Sequence, residues 1–180
     1  VAVFSDLSSL KRSQHELDFL AHHDPLTDLP NRQRAKLRLN EAIAQATNQR
    51  DECVALLYID LDNFKTINDS LGQATGDQLL KAAASRMLTQ MGSDDMLARH
   101  GADEFLLMVP HVRELHSLTE RAQALLAAFS TPLLVADQAL HTTLSIGMAL
   151  APDDGSDYDA LLQKAEAAMR AAKEAGRNTF

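Results

Sequence analysis

The sequence lacks a second cysteine, an excess of basic residues and any apolar run long enough to cross a bilayer. Cys53 is the single cysteine in 180 residues, so no internal disulfide can form. Its setting, Cys53-Val54-Ala55-Leu56-Leu57, predicts a buried structural thiol in a reducing compartment. Lys and Arg number 17 against 25 Asp and Glu, a formal net charge of -8. That balance argues against a sequence-independent grip on a nucleic acid polymer, which depends on neutralising many phosphates. A small anionic ligand needs only a local concentration of cations. No stretch approaches the roughly 18 apolar residues of a membrane span, and no charged, apolar and small-residue series marks a signal peptide. The chain is therefore expected to be cytoplasmic and without direct membrane contact, whatever attaches a longer parent to a membrane.

Catalytic motifs are missing too. No Gly-x-x-x-x-Gly-Lys-Ser/Thr loop is present, which excludes ordinary P-loop chemistry. No nucleophile motif supports a Ser-His-Asp or Cys-His site, and the seven histidines show no paired metal-ligand spacing. A calcium loop starting at Asp60 fails on spacing, because Lys65 stands where glycine should be and Leu71 where the final bidentate acid should be.

What is present is an ordinary globular composition, 46% apolar and 23% charged, of a length suited to one domain with a short appendage. Residues 5–22 carry Leu7, Leu10, Leu17 and Leu20 in a weak helical stripe with Ser5 or Asp6 as a cap. Asp24 to Pro30 is a turn-rich break, and Asn31 to Asn48 reads as a helix. Val54 to Ile59 has strand length and continuous apolarity. A short helix over Asn63 to Leu71, a turn over Gly72 to Gly76 and a helix over Asp77 to Met91 opened by its acid follow. Met96 to Arg99 and Phe105 to Val109 form a hairpin, and Leu115 to Phe129 gives a helical face. Leu133 to Val135 and Leu140 to Ala149 are strands, and Asp157 to Ala175 is a last helix with Gly176 as its cap. Interleaved strands and helices with one central hairpin predict a single α/β or α+β sandwich.

Three segments concentrate chemistry. Asp60 and Asp62 end the apolar strand, where carboxylates can hold Mg²⁺; alternation points both to one side, so both could face one metal, or both could cap the next helix. Gly101-Ala102-Asp103-Glu104 puts two acids on a hairpin tip, as ligands or as a solvated turn. Lys173 and Arg177 place two cations at a helix end, where they complement the helix dipole or receive a polyphosphate.

In order and spacing, Asp24-x-Leu26-Thr27-x-Leu29-x-Asn31-Arg32, Asp60-Leu61-Asp62-x-Phe64-Lys65-x-Ile67-Asn68-Asp69-x-x-Gly72-x-x-x-Gly76-Asp77, Arg99-x-Gly101-Ala102-Asp103-Glu104-Phe105, Ser145-Ile146-Gly147 and Ala168-Met169-x-x-Ala172-Lys173-x-x-Gly176-Arg177-Asn178 resemble the GGDEF domain of diguanylate cyclases. The resemblance divides the chain into a linker helix, 1–22, similar to the end of a PAS sensor, and a GGDEF domain, 23–180. The wording around Asp60 to Leu80 is similar to GGDEF domains followed by an EAL phosphodiesterase domain, so PAS and EAL domains in one parent chain are expected.

The resemblance implies a palm-like, mainly antiparallel sheet flanked by helices, of nucleotidyl-cyclase type. It implies two GTP condensed to cyclic di-GMP with release of pyrophosphate, in a homodimer of two such domains facing each other. The alternative is a weak or silent GTP-binding module that controls an adjacent EAL domain. Two Mg²⁺ ions per site, or Mn²⁺, are implied at Asp60, Asp103 and the Leu61 carbonyl, with Glu104 near the reacting ribose. Asn68 and Asp77 would read guanine. The amides of Asn63, Phe64 and Lys65 and the side chains of Lys173 and Arg177 would take the phosphates, with Gly101 and Ala102 beside the nucleotide.

Ala102 departs from the family's second glycine, and a positive φ there would strain the loop. Gly92 stands where the family's Arg-x-x-Asp product-inhibition motif has arginine, while Asp95 remains. Weak or absent feedback by cyclic di-GMP is the expectation.

Overall fold

The computed structural model describes residues 2–47 and 52–180. Its elements are α1 (Ala2–His22), α2 (Arg32–Ala46), β1 (Cys53–Leu61), α3 (Phe64–Leu71), α4 (Gln73–Leu88), β2 (Met96–Arg99), β3 (Glu104–Val112), α5 (Leu115–Ala128), β4 (Leu133–Val135), β5 (Gln138–Leu140), β6 (Leu144–Ala151) and α6 (Tyr158–Glu174). A four-stranded sheet in the order β2-β3-β1-β6 is antiparallel at every pairing, and β4 with β5 forms a separate hairpin.

The sheet is covered on both faces because β1 is apolar at nearly every position, the pattern of a fully buried strand. Ala55, Leu57, Ile59 and Leu61 join the core formed with α4 and α5. Val54, Leu56 and Tyr58 join the opposite core formed with α2 and α6. Side chains of consecutive strand residues point to opposite faces, so Asp60 falls on the α6 side of the sheet. Burying each large aliphatic of this strand contributes roughly 1.5–3 kcal/mol. Gly147 on β6 lets α6 approach closely: a Cβ there would lie 2.0 Å from the Ala165 carbonyl oxygen and 2.2 Å from the Met169 nitrogen.

Several boundaries differ from the sequence reading. Ser5 and Asp6 lie inside α1 rather than capping it, and its Leu7, Leu10, Leu17 and Leu20 are exposed. Asn48, the expected end of α2, lies outside the described residues. The turn expected over Gly72 to Gly76 is confined to Gly72, whose φ of 89° breaks the chain between α3 and α4. Asp77 consequently sits one turn inside α4 rather than opening it. The strand expected over Leu140 to Ala149 is divided, with Leu140 pairing to Leu133 and β6 starting at Leu144. Cys53 begins β1 and is only half-buried. No helix among the described residues is long and apolar enough to cross a membrane.

Candidate functional site

The carboxyl end of β1 meets the start of β3, because the antiparallel register puts Asp60 opposite Glu104. Leu61 N–H donates to the Asp103 carbonyl at 3.1 Å, so the last residues of β1 are laced to the β2–β3 turn. This pairing brings Asp60, Asp103 and Glu104 together from positions more than forty residues apart in sequence. Asp60 is 4% exposed. Burial pushes its carboxyl up to about 6, with further upward push from the charges of Asp103 and Glu104, while Lys173 pulls it down. Asp103 is likewise raised, first by burial and then by Glu104. Acids that resist ionisation in one another's company are a place where a cation gains by binding.

Lys173, in the last turn of α6, supplies part of that charge. Its Nζ stands 2.8 Å from Asp60 Oδ1, yet off the direction a hydrogen bond requires, since Oδ1 is buried with no hydrogen-bond partner. That orphaned oxygen suits a metal ligand. No three His, Cys, Asp or Glu side chains among the described residues are close enough to hold a metal by themselves. The donor set fits Mg²⁺, which accepts few protein carboxylates and completes its shell with water, carbonyl and substrate oxygens.

Glu104 is held from two sides. The Tyr58 ring lies on one side, and Tyr58 itself is strongly raised by burial and then by the Glu104 charge. Gly101 leaves room for the Glu104 carboxylate: a Cβ on Gly101 would lie 2.5 Å from Oε2. Ala102 is exposed and is not among the residues of positive φ. The strain expected at Ala102 is therefore absent, because the turn between His100 and Asp103 is made without a left-handed residue.

Arg99 braces the same turn. Its Nε donates to the Gly101 carbonyl at 3.1 Å and its Nη2 to the Ala102 carbonyl at 2.9 Å. Its Nη1 reaches both Asp24 oxygens at 3.0 and 3.1 Å. Burial pushes Asp24 up, but the Thr27 hydroxyl and amide together with Arg99 more than offset this and leave it lowered. Spacing gave no sign of this brace, since Asp24 and Arg99 are joined only by the tertiary fold.

Asn63, with φ 60° and no side-chain cap, turns the chain into α3, so the first N–H groups of that helix are free of intrahelical partners. Asn68 lies over Gly76, where an added Cβ would meet its Oδ1 at 2.3 Å. Gly76 thus brings the Asn68 amide against α4, one residue from the half-buried Asp77. Arg177 and Asn178 both adopt positive φ, 65° and 49°, beyond Gly176 at the end of α6. The Arg177 side chain is exposed.

Asp62 takes neither of the two roles left open for it, facing a metal with Asp60 or capping the next helix. It is 1% exposed and accepts from Ser145 Oγ and Thr143 Oγ1, each at 2.6 Å, and from Asn178 N–H at 3.1 Å. The strand has ended at Leu61, so alternation no longer aligns Asp62 with Asp60. A cavity of about 590 Å³, lined by residues including Ile43, Glu52, Cys53 and Arg113, opens at the start of β1. Seven strand steps, roughly 23 Å at 3.3 Å each, separate it from Asp60, and it takes no part in this site. At the former inhibition motif, Arg121 pairs with Asp95 and its Nη2 would lie 2.7 Å from a Cβ on Gly92. Sequence spacing gave no sign of this pairing, which brings a cation of α5 against Asp95.

The sequence matches the family described as diguanylate cyclase, GGDEF domain, over residues 21–179. It is 37% identical over 176 residues to the cyclic di-GMP phosphodiesterase PdeR of Escherichia coli, covering 98% of this chain and 26% of that protein. It is 40% identical over 173 residues to the bifunctional diguanylate cyclase/cyclic di-GMP phosphodiesterase MucR of Pseudomonas aeruginosa, covering 96% of this chain and 25% of MucR. The chain thus spans about a quarter of the length of these relatives. Among solved structures, the GGDEF domain of TpbB from Pseudomonas aeruginosa superposes with a TM-score of 0.84 at 38% identity, covering 88% of this chain and 92% of that one. The coiled coil and GGDEF domain of DgcB from Caulobacter crescentus, in complex with c-di-GMP, gives 0.81 at 28% identity, covering 99% and 94%. The carboxylate cluster at the β1–β3 junction lies within the matched span, and the chain belongs to the GGDEF domain family of cyclic di-GMP signalling, with a palm fold of nucleotidyl-cyclase type.

Proposed function

We propose that this chain is a diguanylate cyclase domain, binding GTP with Mg²⁺ and joining two GTP into cyclic di-GMP as a dimer. The observation that carries the reading is the convergence of Asp60, Asp103 and Glu104 at one buried strand end, with Lys173 beside them. Asp60, Asp103 and the Leu61 carbonyl would hold the metal. When bound, Mg²⁺ supplies charge stabilisation at phosphate oxygens and eases ionisation of an attacking hydroxyl.

The chain's own residues do the rest. Asn68 offers an amide donor and acceptor and Asp77 a carboxylate acceptor, a combination suited to the guanine edge. The α3 amides of Phe64 and Lys65, with the Asn63 amide, form an anion cradle at a helix N-terminus. Lys173 and Arg177 add cationic contacts to the terminal phosphates. Glu104, oriented by Tyr58 and Gly101, stands beside the metal acids near the place expected for the reacting ribose. One domain binds one GTP, so ring closure requires a second copy face to face. PAS and EAL partners in the parent chain complete the proposal, and the lengths of PdeR and MucR leave room for them.

The relaxed backbone at Ala102 favours cyclase over silent module. The relatives that carry phosphodiesterase names favour the second reading, in which GTP binds without turnover and acts on an EAL neighbour. Calorimetry with GTP and ATP in Mg²⁺ tests the shared ligand: GTP should bind more tightly by roughly 1–3 kcal/mol, since mispaired buried polar groups carry that penalty. Equal affinities would remove the guanine assignment and both readings with it.

A further inference from the structure

Asp62 is a buried acid that the proposed chemistry does not use. Its two oxygens accept from Ser145 and Thr143 of the β6 approach and from the Asn178 amide of the C-terminal segment. Its own carbonyl accepts from Thr142 Oγ1 at 3.0 Å, and its N–H donates to the Thr143 carbonyl at 2.9 Å. Among the described residues no cation pairs with it. A carboxylate kept at 1% exposure on hydroxyl and amide donors alone is costly unless those bonds secure something.

What they secure is the turn that carries Arg177. Arg177 and Asn178 are consecutive non-glycine residues in the left-handed region, at 65° and 49°, a conformation that most side chains, though asparagine less so, adopt only when held. Three bonds hold that turn in place: Arg177 N–H to the Ala172 carbonyl at 3.1 Å, Asn178 N–H to Asp62, and Ile146 N–H to the Thr179 carbonyl at 3.0 Å. Only the Asp62 bond ties the turn to the end of β1, two residues past Asp60. The Arg177 side chain, in contrast, is exposed and has no carboxylate partner among the described residues. A cavity of about 380 Å³ lined by Asn63, Thr143 and Asn178 among others lies beside this anchor.

We propose that Asp62 is the positioning residue for Arg177: by holding the Asn178 amide, it fixes the strained turn so that the guanidinium meets the terminal phosphate of GTP. The inference rests on the phosphate role of Arg177 given above. Asp62 itself touches neither phosphate nor metal.

The test is a double-mutant cycle in GTP affinity, measured with Mg²⁺ by calorimetry on the chain, with thermal melting to verify folding. Arg177→Ala should weaken GTP about tenfold, the loss of one charge-assisted phosphate contact. Asp62→Asn keeps the volume but cannot accept all three bonds, and should weaken GTP by a similar factor. The double variant should be no more than about twofold weaker than Arg177→Ala, because coupled residues are not additive. Exchange of the Asn178 amide should accelerate in Asp62→Asn and stay unchanged in Arg177→Ala. If Asp62→Asn does not fold, Thr143→Val, which removes one donor to Oδ2, carries the same cycle with a smaller first loss. Parent-like affinity in the Asp62 variant, or losses that multiply, overturns the inference and leaves the phosphate role standing. Parent-like affinity in Arg177→Ala overturns both.

Discussion

Lys173 Nζ stands 2.8 Å from Asp60 Oδ1, so an ammonium from the last turn of α6 rests against the acid that ends β1. The contact joins the two assignments of the site, phosphate on the cation and metal on the acid. It is too little to make the Asp60 charge comfortable, since burial and the neighbouring acids still leave its carboxyl at about 6.

From this follows a stability prediction. A carboxyl whose folded value is raised favours folding in its protonated form, so its penalty grows as pH rises from 3.8 through about 6 and then levels. Without Mg²⁺ at pH 7.5, Asp60→Asn should melt a few degrees above the parent, and the difference should vanish below pH 4. Mg²⁺ with GTP should raise the melting temperature of the parent and not of the variant. A variant that melts lower at neutral pH and still responds to Mg²⁺ contradicts the assignment.

The Arg99 brace gives the opposite sign with pH. Asp24 is lowered, so its contribution is fully present above the unfolded carboxylate range and is lost as pH falls through its still lower folded value. Arg99→Ala should cost roughly 2 kcal/mol at neutral pH, between exposed and buried ion pairs. It should also lower turnover more than GTP affinity, because it frees the two carbonyls just before Asp103. Chemical denaturation and the split between kcat and KM check both parts; equal losses in kcat and affinity would place Arg99 outside catalysis.

Periodicity and spacing made much of this molecule legible. The continuous apolar run of β1 predicted a strand, which the fold buries on both faces, and the acids after it were candidate ligands from their position alone. Chain-distant motifs could be set side by side only through the resemblance to a family. What pattern could not show was three-dimensional bonding. Asp62 was open to a metal or a capping role, but the strand ends at Leu61 and its oxygens turn to Thr143 and Ser145. Arg121 and Arg99 act across the fold, and no local spacing predicts a partner 26 or 75 residues away. Gly76, expected in a turn, lies in a helix, where its role is to make room for Asn68.

The two positions of the signature turn should respond differently. Gly101→Ala puts a Cβ against the Glu104 carboxylate, a flexible group that can move, so folding should survive. A displacement near 1 Å can cost roughly 100-fold in rate, and turnover should fall by about that factor. Ala102→Gly relieves no strain and should leave turnover within about twofold, as expected of an exposed surface change. A large gain from Ala102→Gly at saturating GTP would mean that the alanine Cβ obstructs the nucleotide.

At Gly92 and Asp95, Arg121 already pairs with the remaining acid. Cyclic di-GMP would have to break that pair without the arginine the family places at position 92, so titration should give no strong saturable binding at this surface. Gly92→Arg should create it; product binding by the parent that Arg121→Ala abolishes would show that α5 supplies the missing guanidinium.

Product formation decides whether the β1–β3 acids make this domain a cyclase. The chain should be incubated with GTP and Mg²⁺ at concentrations that permit dimerisation, and the nucleotides separated by chromatography. Cyclic di-GMP should form, with two pyrophosphates released for each, at a specific rate that rises with protein concentration and is lost in Asp60→Asn and Asp103→Asn. GTP bound yet recovered intact at every protein concentration would contradict the cyclase assignment.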